Sequence, residues 1–574
     1  MSNANVKQYI AELLMPAIGG EIKEQAVMDL LEYPPDPQMG DLSLPCFKLS
    51  KTMRKAPQAI AEQLRQVIAT GGLIARTEAV SGYLNFYFDK GRFAKAVLQD
   101  VLFGKKPYGS NELGRGKNVV IDYSSPNIAK PFHIGHLRST VIGNALANIF
   151  RFSGYKVTGV NHLGDWGTQF GKLIVAYMRW GSEAQVKAEG VGELLRLYVK
   201  FHDEAEKDPS LEDEAREWFV RLEKNDERAL KLWRWFIDIS MREFGKIYDL
   251  LGVTFDSYAG ESFYNDKMDT VIAELAEKGL LEEDQGAMLV RLDDYGMPPA
   301  LMLKKDGGSL YHTRDVAAAI YRKQTYDFDQ CIYVTDYAQN LHFQQWFKIV
   351  ELMGYPWADK LVHVAFGRVS LEGVRLATRK GNVVMLEDLL KQAIAKTREI
   401  IESKNPHLPN KDEVARQVGV GAVIFNDLSM NRIKDIAFSW DEALNFDGET
   451  GPYVQYTHAR ACSVLRKAES DGELVIAHEA IAVEQLQDAE AQRVLKELYL
   501  FPERVEMAMR KYEPSVISRY LIDLSQSFNR FYHERPILLA DQPVRTARLA
   551  LVKAVQTVLK TGLNLIGLET PEKI

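Results

Sequence analysis

The sequence predicts an α/β architecture, with a doubly wound parallel sheet at its centre, an α+β unit before it and an all-α helical bundle after it. Three observations carry this. From Asn118 the chain alternates between strand-like and helix-like segments, "NVVIDYS", "GHLRSTVIGNALANIFRFSG" and "YKVTGVNHLG", and the alternation returns in "QCIYVTDYAQNLHFQQWFKIVELMGY" and "LVHVAFGRVS". Strands joined by helices of that length build βαβ units, whose strands lie parallel. The first hundred residues instead mix two helical patterns with one alternating strand, and from Leu386 onward the pattern is nearly all helical.

At 574 residues the chain is too long for one core. The expected domains are 1–112, 113–445 and 446–574. In the first, "VKQYIAELLMPAI" and "APQAIAEQLRQVIATG" have helical periodicity and "GYLNFYF" alternates as a strand does. The glycine-rich "GKKPYGSNELGRGK", Gly104 to Lys117, reads as a linker. Inside the second domain a charged interval, about 184–248, reads as amphipathic helices inserted into the sheet. The helical remainder is punctuated by "KNPHLPN" and "DGETGPY".

Composition narrows the class. Hydrophobic residues make up 46% and charged residues 26%, as expected of a soluble globular protein. Cys46, Cys331 and Cys462 lie far apart and form no C-x-x-C pair, so neither a disulfide framework nor a zinc site is expected. The first residues lack a signal peptide's uninterrupted apolar core, and no run approaches the roughly 18 apolar residues of a membrane span. A cytoplasmic protein, monomeric and without membrane contact, is the expectation. The net charge of −7 argues against a surface coated for nonspecific nucleic-acid binding, yet leaves room for a local basic groove.

The stretch "SSPNIAKPFHIGHLRST", Ser124 to Thr140, stands where a strand hands over to a helix. Pro131 suits a first helical turn, and His133 and His136, three apart, share a face there. Unpaired N–H groups and the dipole at a helix start favour an anion, and two imidazole donors beside them would hold a phosphate. Gly135 would let a flat group such as a purine approach the backbone. A Walker phosphate loop is absent.

These residues carry a resemblance. "HIGH", His133 to His136, is spelled as in the signature of class I aminoacyl-tRNA synthetases. The wider "DYSSPNIAKPFHIGHLRSTVIGNAL", with "VNHLGDWGTQFGKL" from Val160 to Leu173, resembles the arginyl-tRNA synthetase family, and the likeness covers essentially the whole chain. It implies a Rossmann-type catalytic domain of the HIGH class. It also implies ATP-dependent ligation of L-arginine to tRNA(Arg) through arginyl-adenylate, with AMP and pyrophosphate released. Mg²⁺ would be held mainly by ATP phosphates, and adenylate formation would need bound tRNA. Two rivals are a non-catalytic tRNA-binding paralogue and a class I synthetase for another amino acid, though a cysteinyl-type enzyme would want a cysteine-ligated zinc.

Resemblance also places the site. "RLATRKGN", Arg375 to Asn382, matches the KMSKS-type loop in degenerate form, with Arg375 for the first lysine and Thr378 for the second. Arg375, Thr378, Arg379 and Lys380 are thereby expected at ATP. Lys130, just before HIGH, would compensate as a point charge on phosphate. His133, His136, Lys130, Arg379 and Lys380 form the expected catalytic set, and Gly135 joins the ATP contacts. A guanidinium, planar and always charged, wants carboxylates in bidentate reach. Tyr311 and Asp315 in "SLYHTRDVAAAIYR" and Glu261 in "YAGESFY" resemble the family's arginine pocket, with Asn127 and Gln339 at the amino acid's α-amino and carboxylate end and Ser125 also expected at arginine. The bland alternatives are core for Tyr311, pairing with Arg314 or Arg322 for Asp315, and helix capping for Gln339. His162 is expected at arginine too. Whether it, Asp165 and Gln169 touch substrate or shape the pocket wall stays open.

The tail from Glu503 to Pro536 interleaves basic residues with aromatics, as single-stranded RNA loops demand. Helical aromatics also read as core. Resemblance makes "GPYVQYTHARACSVLRK" the start of an anticodon-binding bundle and the N-terminal unit a tRNA-elbow contact. Tyr453, Arg460, Arg519, Arg530 and Tyr532 are the expected tRNA contacts.

Overall fold

The computed structural model describes residues 6–19, 22–304, 311–371, 385–470, 472 and 481–574. Two compact units emerge. One holds 1–109, 457–503 and 520–561, and the other holds 110–456, 504–519 and 562–574. No described helix is long and apolar enough to cross a membrane.

The first unit opens with a helix, Val6–Ile18, whose Ile10, Ala11 and Leu14 are buried at helical spacing. A three-stranded antiparallel sheet follows, β1 (Leu42–Pro45), β2 (Ile74–Val80) and β3 (Tyr83–Phe88), in the order β1-β3-β2. Of these strands only β3 carries an alternating pattern expected from the sequence. Pro57 starts the helix Pro57–Val67, where its missing N–H costs nothing.

The second unit holds the predicted parallel sheet. Its strands are β4 (Asn118–Asp122) and β5 (Lys156–Val160), then β9 (Gln330–Asp336) and β10 (Leu361–Phe366), ordered β10-β9-β4-β5 with every pair parallel. Between β5 and β9 lie a three-stranded antiparallel sheet, β6 (Glu282–Asp284), β7 (Ala287–Val290) and β8 (Ala300–Leu303), and the expected helical insertion. That insertion ends in the long helix Glu227–Leu251, with Phe236, Ile239, Ser240, Phe244, Ile247, Tyr248 and Leu251 buried on one stripe.

Alternation along the strands assigns the two faces of the parallel sheet. Val120, Cys331 and Tyr333 join the core formed with the helices Tyr311–Tyr326 and Asn340–Leu352. Val119, Ile121, Ile332 and Val334, also buried, turn to the other face, where the helix Ile134–Phe152 packs. A Cβ on Gly143 of that helix would stand 2.2 Å from the Tyr123 ring, so glycine sets the depth of contact.

One expectation needs correction. The helix starts at Ile134 with His133 as its N-cap, so Pro131 precedes it rather than occupying its first turn. The described residues after Leu386 are mostly helical, as expected, with one short strand, β12 (Ile436–Phe438), that pairs in parallel with β11 (Val369–Leu371). Strands this short carry too few residues to show a period.

Candidate active site

The chain runs from β4 outward to β5 and from β9 outward to β10, so the strand order reverses between β4 and β9. Ligands bind beyond the carboxyl ends of strands at such a point. A cleft of about 520 Å³ opens there, lined among others by Asp122, Ser125, His136, His162, Asp336 and Phe366.

The loop that leaves β4 is unusual. Ser124, Ser125 and Ala129 have φ of 72°, 48° and 59°, a left-handed conformation that non-glycine residues adopt only when their surroundings hold them. The Ser124 N–H donates to Ser139 Oγ (2.9 Å), and its hydroxyl meets the Tyr248 hydroxyl at 2.8 Å. Asn161 accepts from the Ser125 N–H at 3.2 Å and donates to Tyr248 at 2.9 Å. The Ala129 N–H donates to Ser240 Oγ at 2.9 Å. Tyr248 and Ser240 both sit on the helix Glu227–Leu251, so the insertion braces the loop.

At the end of that loop the two histidines turn their Nδ1 atoms on the backbone. The Gly135 N–H donates to His133 Nδ1 at 3.0 Å, and the His133 N–H donates to His136 Nδ1 at 3.1 Å. Their ring centroids are 3.9 Å apart. A neutral imidazole whose Nδ1 accepts carries its proton on Nε2. Burial keeps both rings neutral. It pushes the His136 pKa down to about 3, with the charges of His133 and Lys130 adding to the effect, and it lowers His133 as well. Of the two, His136 lines the cleft and His133 does not, so the site offers one N–H donor without cationic charge at the helix N-terminus, with the second imidazole beside it. Gly135 is required here because a Cβ would stand 2.8 Å from the His133 ring. The next basic residue, Arg138, is fully buried and ties this helix down, donating to the carbonyls of Gly367 (2.8 Å) and Lys434 (2.7 Å) and to Asp427 (3.2 Å).

Lys130 does not line the cleft. It pairs with no acidic residue among the described residues, and its charge reaches His133, His136 and Glu261. Arg375, Thr378, Arg379 and Lys380 lie outside the described residues.

Part of the cleft lining is acidic. Glu261, Tyr311, Asp315, Asn127 and Gln339 all line it. Asp315 pairs with His342 at 2.5 Å, not with Arg314 or Arg322. Those arginines go elsewhere, Arg314 to Glu261 (3.7 Å) and Arg322 to Asp122 (2.7 Å, both buried). Burial pushes the Glu261 pKa up to about 7 against the pull of Arg314, with Asp315 and Asp165 adding to the rise. Tyr311 is 66% exposed and therefore not core. Gln339 precedes the helix Asn340–Leu352 without any side-chain cap bond.

Ser125 also lines the cleft, but its hydroxyl is committed. It donates to Asp122 at 2.9 Å and accepts from the His162 N–H at 3.2 Å. A Cβ on Gly164 would collide with the Asn127 amide, which explains that glycine. His162 reaches the cleft, whereas Asp165 and Gln169 do not. Asp165 accepts from the Ser262 N–H (2.8 Å) and hydroxyl (2.6 Å), fixing the turn that presents Glu261. His342 has no place in the sequence expectations, and Arg314 and Arg322 enter them only as alternative partners of Asp315. The available signals were the three-residue spacing of His342 from Gln339 and the two-turn spacing of Arg322 from Asp315 on one helix.

No group of three or more His, Cys, Asp or Glu among the described residues is arranged to hold a metal ion. In the tail, Tyr520, Phe528 and Phe531 are buried, which settles them as core. Arg519 pairs with Glu449 (2.7 Å) and Arg530 with Glu534 (2.9 Å), while Arg460 bonds Asn529 and lies 5.2 Å from the Tyr532 ring centre. Tyr453 lies in the first turn of the helix Gly451–Ser470.

Comparison with known proteins agrees along the whole chain. Family models match residues 97–440 (tRNA synthetases class I (R), catalytic domain), 454–574 (DALR anticodon binding domain) and 3–88 (arginyl tRNA synthetase N terminal domain). An arginine–tRNA ligase of Alkaliphilus metalliredigens is 56% identical over 571 residues, spanning 100% of both chains. One from Clostridioides difficile is 53% identical over 96% of this chain and 97% of its own. The solved Thermus thermophilus arginyl-tRNA synthetase superposes with a TM-score of 0.83 at 28% identity, covering 100% of both chains. The chain belongs to the arginyl-tRNA synthetase family of class I aminoacyl-tRNA synthetases.

Proposed function

We propose that this protein ligates L-arginine to tRNA(Arg) at the expense of ATP, in two displacements within the one cleft. In the first, an arginine carboxylate oxygen attacks the α-phosphorus of ATP in line, and pyrophosphate leaves. In the second, the terminal ribose hydroxyl of tRNA attacks the carbonyl of arginyl-adenylate, and AMP leaves. The observation that carries this reading is that one cleft is lined both by groups suited to an anion and by groups suited to a cation. His136 and Gly135, at a helix start, share its lining with Glu261 and Asp315. An anion and a guanidinium would bind there with the carboxylate directed at phosphorus, and such positioning supplies much of the rate in phosphoryl displacement.

In this proposal His133 and His136 steady the α-phosphate through Nε2–H, where negative charge grows. Gly135 leaves the purine room. Lys130, Arg379 and Lys380 steady the leaving pyrophosphate, and Arg375 and Thr378 contact ATP. Asp315 and Glu261 take the guanidinium with Tyr311. Asn127 and Gln339 hold the α-amino and carboxylate end, and Ser125 and His162 shape that end of the pocket. ATP enters as its magnesium complex, with the ion on phosphates and water. Tyr453, Arg460, Arg519, Arg530 and Tyr532 contact tRNA. The matched residues 3–88, 97–440 and 454–574 support domains at 1–112, 113–445 and 446–574. Three buried cysteine thiols suit a reducing cytoplasm, and a monomer suffices for the chemistry.

The test is ATP–pyrophosphate exchange with each amino acid, with and without bulk tRNA. Exchange with arginine alone is expected, and exchange driven by another amino acid would overturn the assignment.

A further inference from the structure

Two helices bring four side chains into a line that ends at the cleft. Tyr311–Tyr326 carries His312 and Asp315, and Asn340–Leu352 carries His342 and Gln345. His342 Nε2 lies 2.5 Å from Asp315 Oδ2, and His342 Nδ1 lies 3.2 Å from His312 Nε2. That same His312 nitrogen lies 3.2 Å from Gln345 Oε1. Gln345 is buried, and its Nε2 donates to the Pro298 carbonyl at 2.8 Å, which turns Oε1 toward His312.

Each of these three contacts needs a proton. A His312 proton on Nε2 serves both Gln345 Oε1 and His342 Nδ1. Neutral His342 then carries its own proton on Nε2, facing Asp315. The other His312 tautomer would satisfy the Leu301 carbonyl but leave the Gln345 contact with lone pairs on both sides. Burial, aided by His342, lowers the His312 pKa and keeps it neutral. Among the described residues, His363 on β10 also feels the charge of His342. Burial, then Arg432 and His342, push the His363 pKa down to about 4.

We infer that His342 is a positioning residue for arginine, holding Asp315 by a neutral N–H while His312 and Gln345 keep that imidazole from taking a second proton. The inference rests on the reading of Asp315 as a guanidinium contact. Its chemical sense is one of charge. An imidazolium beside Asp315 would cancel the charge that selects a guanidinium. A neutral donor orients one carboxylate oxygen and leaves Oδ1 for substrate, with the full negative charge retained.

The test uses the full-length enzyme with tRNA, reading KM for arginine, KM for ATP and kcat at pH 8 and pH 6. His342→Leu removes the donor and should raise the arginine KM about tenfold or more, the value of a hydrogen bond to a charged group. The ATP KM and the kcat at saturating arginine should change far less. His342→Gln restores a neutral N–H and should recover most of the affinity. His312→Leu frees His342 Nδ1 to take a second proton, which should add a loss at pH 6, beyond whatever the unsubstituted enzyme shows, that is absent at pH 8. Combining it with His342→Gln should abolish that extra loss. An arginine KM within twofold for His342→Leu overturns the inference, as does an equal loss toward arginine and ATP. Asp315→Asn in the same series separates the two readings. If it raises the arginine KM and the histidine variants do not, only the inference falls. If it also changes nothing, the site reading falls with it.

Discussion

The cleft puts histidine to two purposes. At the helix start, His133 and His136 accept backbone N–H groups through Nδ1, which sends their protons to Nε2. Beside the acidic residues, His342 turns its Nε2 to Asp315, a carboxylate of the protein itself, which in our proposal prepares it for a cationic ligand. Burial and local acceptors, more than residue type, decide what an imidazole does. The two sets of residues differ in titration as a result. The His136 pKa lies at about 3, far below working pH, whereas Glu261 at about 7 lies within it.

The strongest attempt to break this contrast is His136→Ala. It should lower the rate of adenylate formation about 10²- to 10³-fold, as expected for losing a donor to developing charge. Arginine binding by calorimetry should stay within twofold. A loss confined to arginine affinity would contradict the division of labour.

Next in size is Asp315→Asn, expected to weaken arginine binding by about 2 kcal/mol, or roughly thirtyfold, because a neutral amide replaces a charged partner. An unchanged arginine Kd would retire the acidic residues as a guanidinium site.

Glu261 sharpens the contrast through pH. Arginine favours the carboxylate, so its Kd should rise as pH falls below about 7, by at most about tenfold per unit, while the rate at saturating substrates shows no limb from the imidazoles. The stability consequence has the opposite sign. A carboxyl whose folded pKa exceeds its unfolded value binds more protons when folded, so stability drops as pH rises from about 4.5 through 7. Glu261→Gln should therefore raise the Tm of the ligand-free enzyme at pH 8, by roughly 1–3 kcal/mol of stability, and leave it unchanged at pH 4. Equal melting shifts at both values would show that the group does not titrate this way.

The smallest effect belongs to Tyr311→Phe. With the residue 66% exposed, losing its hydroxyl should cost less than about 1 kcal/mol of arginine affinity, read as KM.

Some of this was legible in advance. The strands β4, β5, β9 and β10 were visible because parallel strands buried on both faces read as continuous apolar runs. The helix bearing Tyr311 and Asp315 was visible for the same kind of reason, a period of 3.6. The start of the HIGH helix was placed three residues early, since Pro131 is a one-dimensional signal while capping by His133 and His136 is a bond from side chain to backbone. The sheet β6-β7-β8 and strand β12 left no mark because elements of three or four residues have no measurable period. The bracing of Ser124 and Ala129 by Tyr248 and Ser240 crosses more than a hundred residues of chain, and local patterning reports nothing at that separation.

By itself the sequence determined the strands of the parallel sheet, the longer helices and which polar groups stand at those strands' carboxyl ends, because periodic burial and local bonding act between near neighbours. Tertiary structure alone decided who pairs with whom: Asp315 with His342, Arg314 with Glu261, Arg322 with Asp122. The reason is that Coulomb attraction and the cost of desolvation depend on distance in space and on burial, and neither is a function of position along the chain.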